Sequence, residues 1–289
     1  MRAGSGSILQ LLRRLCGRRS AAASLAFLLL VALAAVFADW LPLDPLTQSL
    51  ADSLMPPSAA AWFGTDELGR DILARVVYGA RTSLATAFGA VVIAAAIGVP
   101  VGLVAGFFGD WRDSVLMRCI DVLLALPNIL FAMALIAVLG RSQAAALVAV
   151  GIAGVPTFAR IARAQVMALR QLDFVAATRS FGGSSGYIMF RTILPNAMSP
   201  LVVQAIVLAS IAILLEAALA FLGVGVPPPT PSWGEMLRTG KSYLHEAPSY
   251  AVLPGLVLTL TILSLDTIGR ALTALLDNHD ADLAERRGS

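Results

Sequence analysis

Two stretches of this 289-residue chain carry residue types at spacings that serve catalysis in other proteins. Gly182-Gly183-Ser184-Ser185-Gly186 has the G-x-S-x-G spacing of a nucleophile elbow. That device holds a serine on a sharp turn between strand and helix so that a histidine can take its proton. Here both flanks read as helical. The chain has two histidines, and His245 falls across the predicted membrane from Ser184, leaving His279 as the one remaining base. A glycine-rich turn is the better reading. Gly240-Lys241-Ser242 resembles the end of a phosphate-binding loop, but five residues separate it from Gly234 where that loop needs four, and no strand precedes it. Two cysteines, Cys16 and Cys119, are too few for a disulfide framework or a four-ligand zinc site, and two histidines argue against a histidine metal centre. No reaction chemistry emerges.

The elements that must carry these residues explain why. Hydrophobic residues make up 58% of the chain and charged ones 13%, against about 45–50% and about 25% in a soluble domain. With a mean hydropathy of +0.81, twenty-one basic and eighteen acidic residues cannot cover a soluble surface, so the composition specifies an integral membrane protein. The net charge of +3, scattered arginines and 7% aromatic content argue against a nucleic-acid partner. A helix needs about 20 apolar residues to cross about 30 Å of hydrocarbon. Six spans are predicted, at about 21–38, 82–109, 115–140, 142–165, 197–222 and 249–274, giving an all-α polytopic membrane protein in contact with lipid. The uncharged stretch 217–234 is excluded as a further span because its glycines and prolines would leave backbone groups unpaired in lipid. Arg13, Arg14, Arg18 and Arg19 before the first span give it the look of a signal peptide, but the later spans favour a retained helix. An even number of spans puts both ends on one side. Placing them inside puts 15 of the 21 Lys and Arg in internal segments, so both tails, 1–20 and 277–289, are predicted to be cytoplasmic.

Outside the bilayer, the segment at about 39–80 holds Thr65 as a predicted cap for a short helix whose first turn contains Asp66 and Glu67. Asp66 with Arg70 and Asp71 with Arg75 are four residues apart and read as weak surface ion pairs. Trp40 and Trp62 suit the interface. The segment at about 223–248 starts with a proline run and continues through Trp233 into a short helix. Both external segments read as docking or gating surfaces, with Thr65, Asp66, Arg70, Asp71 and Trp233 as their candidate residues. Within the spans, Gly98, Gly102 and Gly106 repeat every four residues and form a groove for a neighbouring helix, with Pro100 permitting a bend. Glu216, Asp266 and Asp121, the last beside Arg118, lie near span ends. Glu216 and Asp121 are the candidates for a substrate path or gate.

The segment 168–195 suggests a partner. Phe174, Ala177, Thr178 and Phe181 share one face of a short helix, with Asp173 as its predicted N-cap and Gly182 and Gly183 as its stop. Such a helix suits a groove on another protein, or alternatively the lipid headgroups.

At this point the sequence resembles the membrane subunits of bacterial ATP-binding-cassette importers, in the dipeptide, oligopeptide and nickel permease group. The family's loop motif, E-A-A-x3-G-x9-I-x-L-P, is similar to Ala176-Ala177-Thr178-x3-Gly182 ending at Leu194-Pro195. Further similarity lies in Phe63-Gly64-Thr65-Asp66-Glu67-Leu68-Gly69-Arg70-Asp71, in Asp121 through Pro127, and in Ile193-Leu194-Pro195-Asn196. It continues in Phe221-Leu222-Gly223-Val224-Gly225, followed by Pro228 through Gly234. In one departure, Ala176 stands where the motif has glutamate, and Asp173 is the carboxylate one turn earlier. The resemblance implies a type I importer permease fold in the bacterial cell membrane, paired with a homologous second permease. It also implies two cytosolic ATPase subunits, which bind ATP and Mg, and an extracytoplasmic solute-binding protein. The chain itself would hold no cofactor. Asp173, Phe174, Ala176, Ala177, Thr178, Phe181, Gly182, Leu194 and Pro195 would couple to the ATPases. The implied substrate is a dipeptide or oligopeptide moved by alternating access, with nickel or glutathione as alternatives inside the family. A self-sufficient secondary transporter, the alternative class, calls for coupling residues at mid-bilayer, whereas the ionisable residues here cluster at span ends.

Overall fold

The computed structural model describes residues 17–288, with side chains described to residue 276. Arg13, Arg14, Cys16 and the side chain of His279 lie outside the described residues. Long uncharged runs satisfy their backbone groups by coiling, and the described residues are accordingly helical apart from loops and one isolated bridge, Thr65–Asp71. In chain order the helices are α1 (Arg19–Val36), α2 (Ile72–Phe108), α3 (Asp110–Leu124), α4 (Asn128–Leu139), α5 (Gln143–Leu169) and α6 (Asp173–Ser180). A helical segment at 185–196, α7, follows, then α8 (Met198–Phe221), α9 (Trp233–Gly240) and α10 (Ser249–Gly288). Local chemistry marks several starts. Asp71 accepts hydrogen bonds from the amides of Leu73 and Ala74 at 2.7 and 3.2 Å, and Ser142 from that of Ala145 at 3.0 Å.

Five helices, α1, α2, α5, α8 and α10, are long and apolar enough to cross a membrane. The third predicted span differs from expectation. Instead of one helix at 115–140, α3 and α4 meet at an 88° bend. Pro127 cannot continue a helix and disfavours helical backbone at the residue before it, so the chain breaks there. By itself α4 is 12 residues, or about 18 Å, which falls short of the bilayer core.

The bundle is organised around α2 and α5, which approach at backbone distance. A Cβ built on Gly98 would lie 2.7 Å from the Val155 carbonyl, and one on Gly106 2.8 Å from that of Arg163. A Cβ on Gly102 would collide with the Ala159 carbonyl and reach 2.7 Å from the Ala162 methyl. The predicted groove is therefore occupied by α5, which returns the contact through Gly151 against Ile93, while its Gly154 meets Leu208 of α8. Large apolar side chains such as Leu30, Phe88, Val138, Leu214 and Leu263 point outward, as a lipid-facing surface requires.

Gly102→Ala should therefore lower the thermal unfolding midpoint of the detergent-purified protein, at a cost of about 1–3 kcal/mol for overpacking. Gly186→Ala, whose added methyl meets nothing within 4 Å, should leave the midpoint where it is.

Candidate functional site: an exposed aromatic hairpin and a buried charge cluster

At one end of the bundle, α5 stops where the Arg170 guanidinium donates to the carbonyls of Gly106 and Phe107, at 2.9 and 3.3 Å. These belong to the last turns of α2, where a cation is favoured by the helix dipole. The next helix, α6, begins one residue earlier than a cap at Asp173 would allow. Leu172 is the N-cap with extended backbone and Asp173 is the first helical residue, so its carboxylate contributes charge at the helix start but no capping hydrogen bond. The predicted stop holds. Gly182 takes φ +81°, and the amides of Gly182 and Gly183 donate to the carbonyls of Arg179 and Thr178, both at 3.0 Å.

Which face of α6 is free follows from one buried residue. Val175 packs into a cluster with Leu103, Val166, Ile188 and Ile193, and every other α6 residue except half-buried Thr178 is exposed. Thr178 donates its hydroxyl to the Phe174 carbonyl at 2.8 Å. Phe174, Ala176, Ala177 and Phe181 therefore face away from the bundle, with Phe181 93% exposed. Across the turn, Tyr187 and Phe190 of α7 are exposed as well. Leu194 joins the core beside Val175, whereas Pro195 is exposed and follows a π-helical stretch, Ile188–Ile193. Four aromatic rings thus project from one helical hairpin.

At the other end, the predicted helix at Thr65 is absent. Thr65 and Asp71 form an antiparallel bridge around a turn in which the Asp66 amide donates to the Arg70 carbonyl at 2.9 Å. Gly69 takes φ +71° there, and a Cβ on it would collide with the Ser49 carbonyl. Thr65 uses its hydroxyl to tie the Asp52 carbonyl to the Met55 amide. The Asp66–Arg70 pair is buried rather than superficial, with Arg70 Nε 2.6 Å from Asp66 Oδ2. Arg75 does not pair with Asp71. It reaches the same Asp66 oxygen at 3.3 Å and Glu235 of α9 at 3.1 Å, while Asp71 caps α2. Arg70 also holds Glu67 at 3.1 Å, and Arg238 stands 3.9 Å from Glu235. Three carboxylates and three guanidiniums thereby join the 65–71 turn, the start of α2 and α9. Trp233 is fully buried, and its Nε1 donates to the Val76 carbonyl at 3.0 Å. Thr65, Asp66, Arg70 and Trp233 therefore shape this face from within, while Trp40 and Trp62 lie exposed on it. On the rim, hydrogen bonds from Arg81 hold the Asp39 carboxyl below the usual carboxylate range, and those from Thr47 and the Leu46 amide do the same for Asp44.

The remaining candidates sit between or beside these ends. Asp121 pairs with Arg160 at 2.7 Å, both exposed, rather than with Arg118. Next to it, Asp113 takes a two-pronged contact from Arg163, at 2.6 Å on each prong, which clamps α3 to α5. Sequence reasoning missed this fork because its partners are fifty residues apart. Glu216 is buried, with Oε2 3.0 Å from the Ser83 hydroxyl of α2. Ser184 caps α7 by accepting from the Tyr187 amide, and Lys241 lies 4.6 Å over the Phe221 ring, so structural roles account for both serine and lysine motifs. Among the described residues no cluster of three or more His, Cys, Asp or Glu could hold a metal ion.

A polytopic helical bundle with an exposed aromatic hairpin at one end and a braced loop assembly at the other is the architecture that this chain shares with membrane components of transport systems. More specifically, the chain belongs to the binding-protein-dependent transport system inner membrane component family, whose model matches residues 98–279. The model of the N-terminal TM domain of oligopeptide transport permease C matches residues 8–57. The dipeptide transport system permease protein DppC of Alkalihalophilus pseudofirmus is 44% identical, over 78% of this chain and 75% of its own. The di/tripeptide transport system permease protein DppC of Pseudomonas aeruginosa is 42% identical over 90% and 88%. The glutathione transport system permease protein GsiD of Pectobacterium atrosepticum is 39% identical over 92% and 89%. Among solved structures, the MetNI methionine ABC transporter in inward-facing conformations shares the fold, with a TM-score of 0.52 and 20% identity over 70% of this chain and 97% of that one. The chain is thus a multi-pass inner-membrane permease subunit with the type I importer fold, and its relatives are transporter subunits rather than enzymes.

Arg75→Ala would leave Glu235 buried with only Arg238, 3.9 Å away, while Asp66 keeps Arg70, so a loss of about 3 kcal/mol, the low end for a broken buried pair, is expected as a lowered unfolding midpoint. Arg270→Ala, which removes an exposed pair with Asp266, should leave the midpoint unchanged.

Proposed function

We propose that this chain is one of two homologous permease subunits of an ATP-driven importer that carries dipeptides and other short peptides into the cell by alternating access. The relatives above support the substrate class, since dipeptide, tripeptide and glutathione permeases all handle short peptides. The observation that carries the mechanism is the outward-facing aromatic surface of α6 and α7. In this reading Phe174 and Phe181 seat in a groove on one of two cytosolic ATPase subunits, which bind ATP and Mg. Asp173, Ala176, Ala177, Thr178, Gly182, Leu194 and Pro195 shape the same contact. At position 176 a methyl group replaces the family's carboxylate, which shifts the contact from charge toward apolar burial.

This reading fixes the sides of the membrane. The 168–195 hairpin and both tails are cytoplasmic, and the segments at 39–80 and 223–248 meet a solute-binding protein outside. Thr65, Asp66, Arg70, Asp71 and Trp233 hold that outer face in shape. Asp121 and Glu216 belong to the gates at the inner and outer ends. The energetics are adequate. Shifting a gate from 1:99 to 99:1 takes about 5.5 kcal/mol, and each buried aromatic contributes about 1.5–3 kcal/mol, so two anchors transmit a shift of that order.

The test is the double variant Phe174→Asp, Phe181→Asp in the assembled complex. Co-purification of the ATPases and uptake of labelled dipeptide should both fall at least tenfold, while the variant still inserts and folds because both side chains are exposed. Unchanged uptake would overturn the coupling assignment. Competition of dipeptide uptake by unlabelled dipeptide, glutathione and nickel then fixes the substrate class: short peptides should compete and nickel should not.

A further inference from the structure

Glu216 sits where three helices converge. It projects from α8, 1% exposed, toward Ser83 of α2 and toward Ser232, the residue whose side chain caps α9. Around it the elements are closely packed: a Cβ on Gly234 would lie 2.6 Å from the Ala217 carbonyl, and one on Gly79 3.2 Å from the Trp233 ring and 3.5 Å from the Ser232 backbone. Ser83 donates to Oε2 at 3.0 Å, whereas Oε1 is buried without a completed hydrogen bond. Ser232 faces the carboxyl but does not close that bond.

No cation compensates this carboxyl among the described residues. Nearby Arg75 serves Asp66 and Glu235, Arg81 serves Asp39, Arg238 approaches Glu235, and Lys241 lies over Phe221. The groups that face Glu216 from α2 and α9 are hydroxyls. An unpaired charge buried at this depth costs several kcal/mol, and a substrate ammonium cannot reach a side chain enclosed on all sides.

We infer that Glu216 is a positioning residue of the outer gate, acting as an uncharged hydrogen-bonding strut that joins α8 to Ser83 of α2 and, through Ser232, to α9. The inference deepens the proposed importer function and rests on it. In that reading α9 forms part of the face that meets the solute-binding protein, and α2 is packed along α5, which leads into the ATPase-docking hairpin. The strut therefore links the event outside to the helix pair that reports it inside, and the unfilled Oε1 leaves room for the α9 bond to form when the outer face moves.

The experiment compares Glu216→Gln, Glu216→Ala and Ser83→Ala in the reconstituted complex. It measures complex yield, basal ATPase rate, stimulation of ATPase by the peptide-loaded binding protein, and peptide uptake. Glu216→Gln, which keeps shape and a carbonyl acceptor, should stay within about twofold of the wild type. Glu216→Ala should keep its basal rate but lose stimulation and uptake by about tenfold, the scale of one buried hydrogen bond left unmade, and Ser83→Ala should move the same way. A side chain that only stabilised the fold would lower yield and basal rate together, and that outcome overturns the inference. So does a loss in Glu216→Gln as large as in Glu216→Ala, which would make the charge itself the working element. If Glu216→Ala fails to assemble, Glu216→Gln and Ser83→Ala decide: retained stimulation in both rejects the strut. Absence of peptide uptake by the wild-type complex would instead strike the substrate reading.

Discussion

Hydrocarbon gives helices no reason to associate through apolar surface, because lipid tails are as apolar as leucine. What holds this bundle is the approach of α2 to α5 at backbone distance, which only glycine at 98, 102 and 106 permits. Close approach gains many dispersion contacts per unit length, and it fixes the two helices in register. The seam also spans the molecule. The N-terminal end of α2 carries Arg75 and Trp233's acceptor, and its far end receives Arg170 and packs Leu103 against Val175 of α6.

The two ends meet different electrostatic demands. Around the start of α2, several charges are removed from water together, and they are tolerable because they are matched. Asp66, Glu67 and Glu235 face Arg70, Arg75 and Arg238 within one cluster. Guanidinium suits this role, since its planar fork can serve two carboxylates at once, as Arg75 does. At the α6 end the polar contacts are simpler, two arginines clamping α3 and one capping α2, and the apolar groups are left outside. Phe174, Phe181, Tyr187 and Phe190 together leave an apolar aromatic surface bare on one hairpin, the kind of patch that commonly marks an interaction site.

Much of this was legible in the sequence. Composition and run length determined an all-helical membrane protein, because a bilayer admits few ways to satisfy a backbone. The i+4 glycine repeat announced a helix seam, and the Phe174, Ala177, Phe181 spacing with its Gly-Gly stop announced a short helix with a usable face. Each of these signals is local, set by residues within one or two turns of one another.

What the tertiary structure decided was every pairing across distance. Asp66 and Arg70 read as a surface pair because spacing along a chain says nothing about what folds over it: Arg75 reaches Asp66 and ties the pair to Glu235 of α9, 160 residues from Arg75. Arg75 took Glu235 instead of Asp71, Asp121 took Arg160 instead of Arg118, and the third span broke at Pro127 into two helices meeting at 88°. Glu216 was recognised from sequence as a costly residue, but only the convergence of α2, α8 and α9 showed that it is buried against the Ser83 hydroxyl and, among the described residues, has no counter-charge. Local periodicity selects the elements; burial and charge matching depend on which elements meet, and that is a property of the packed whole.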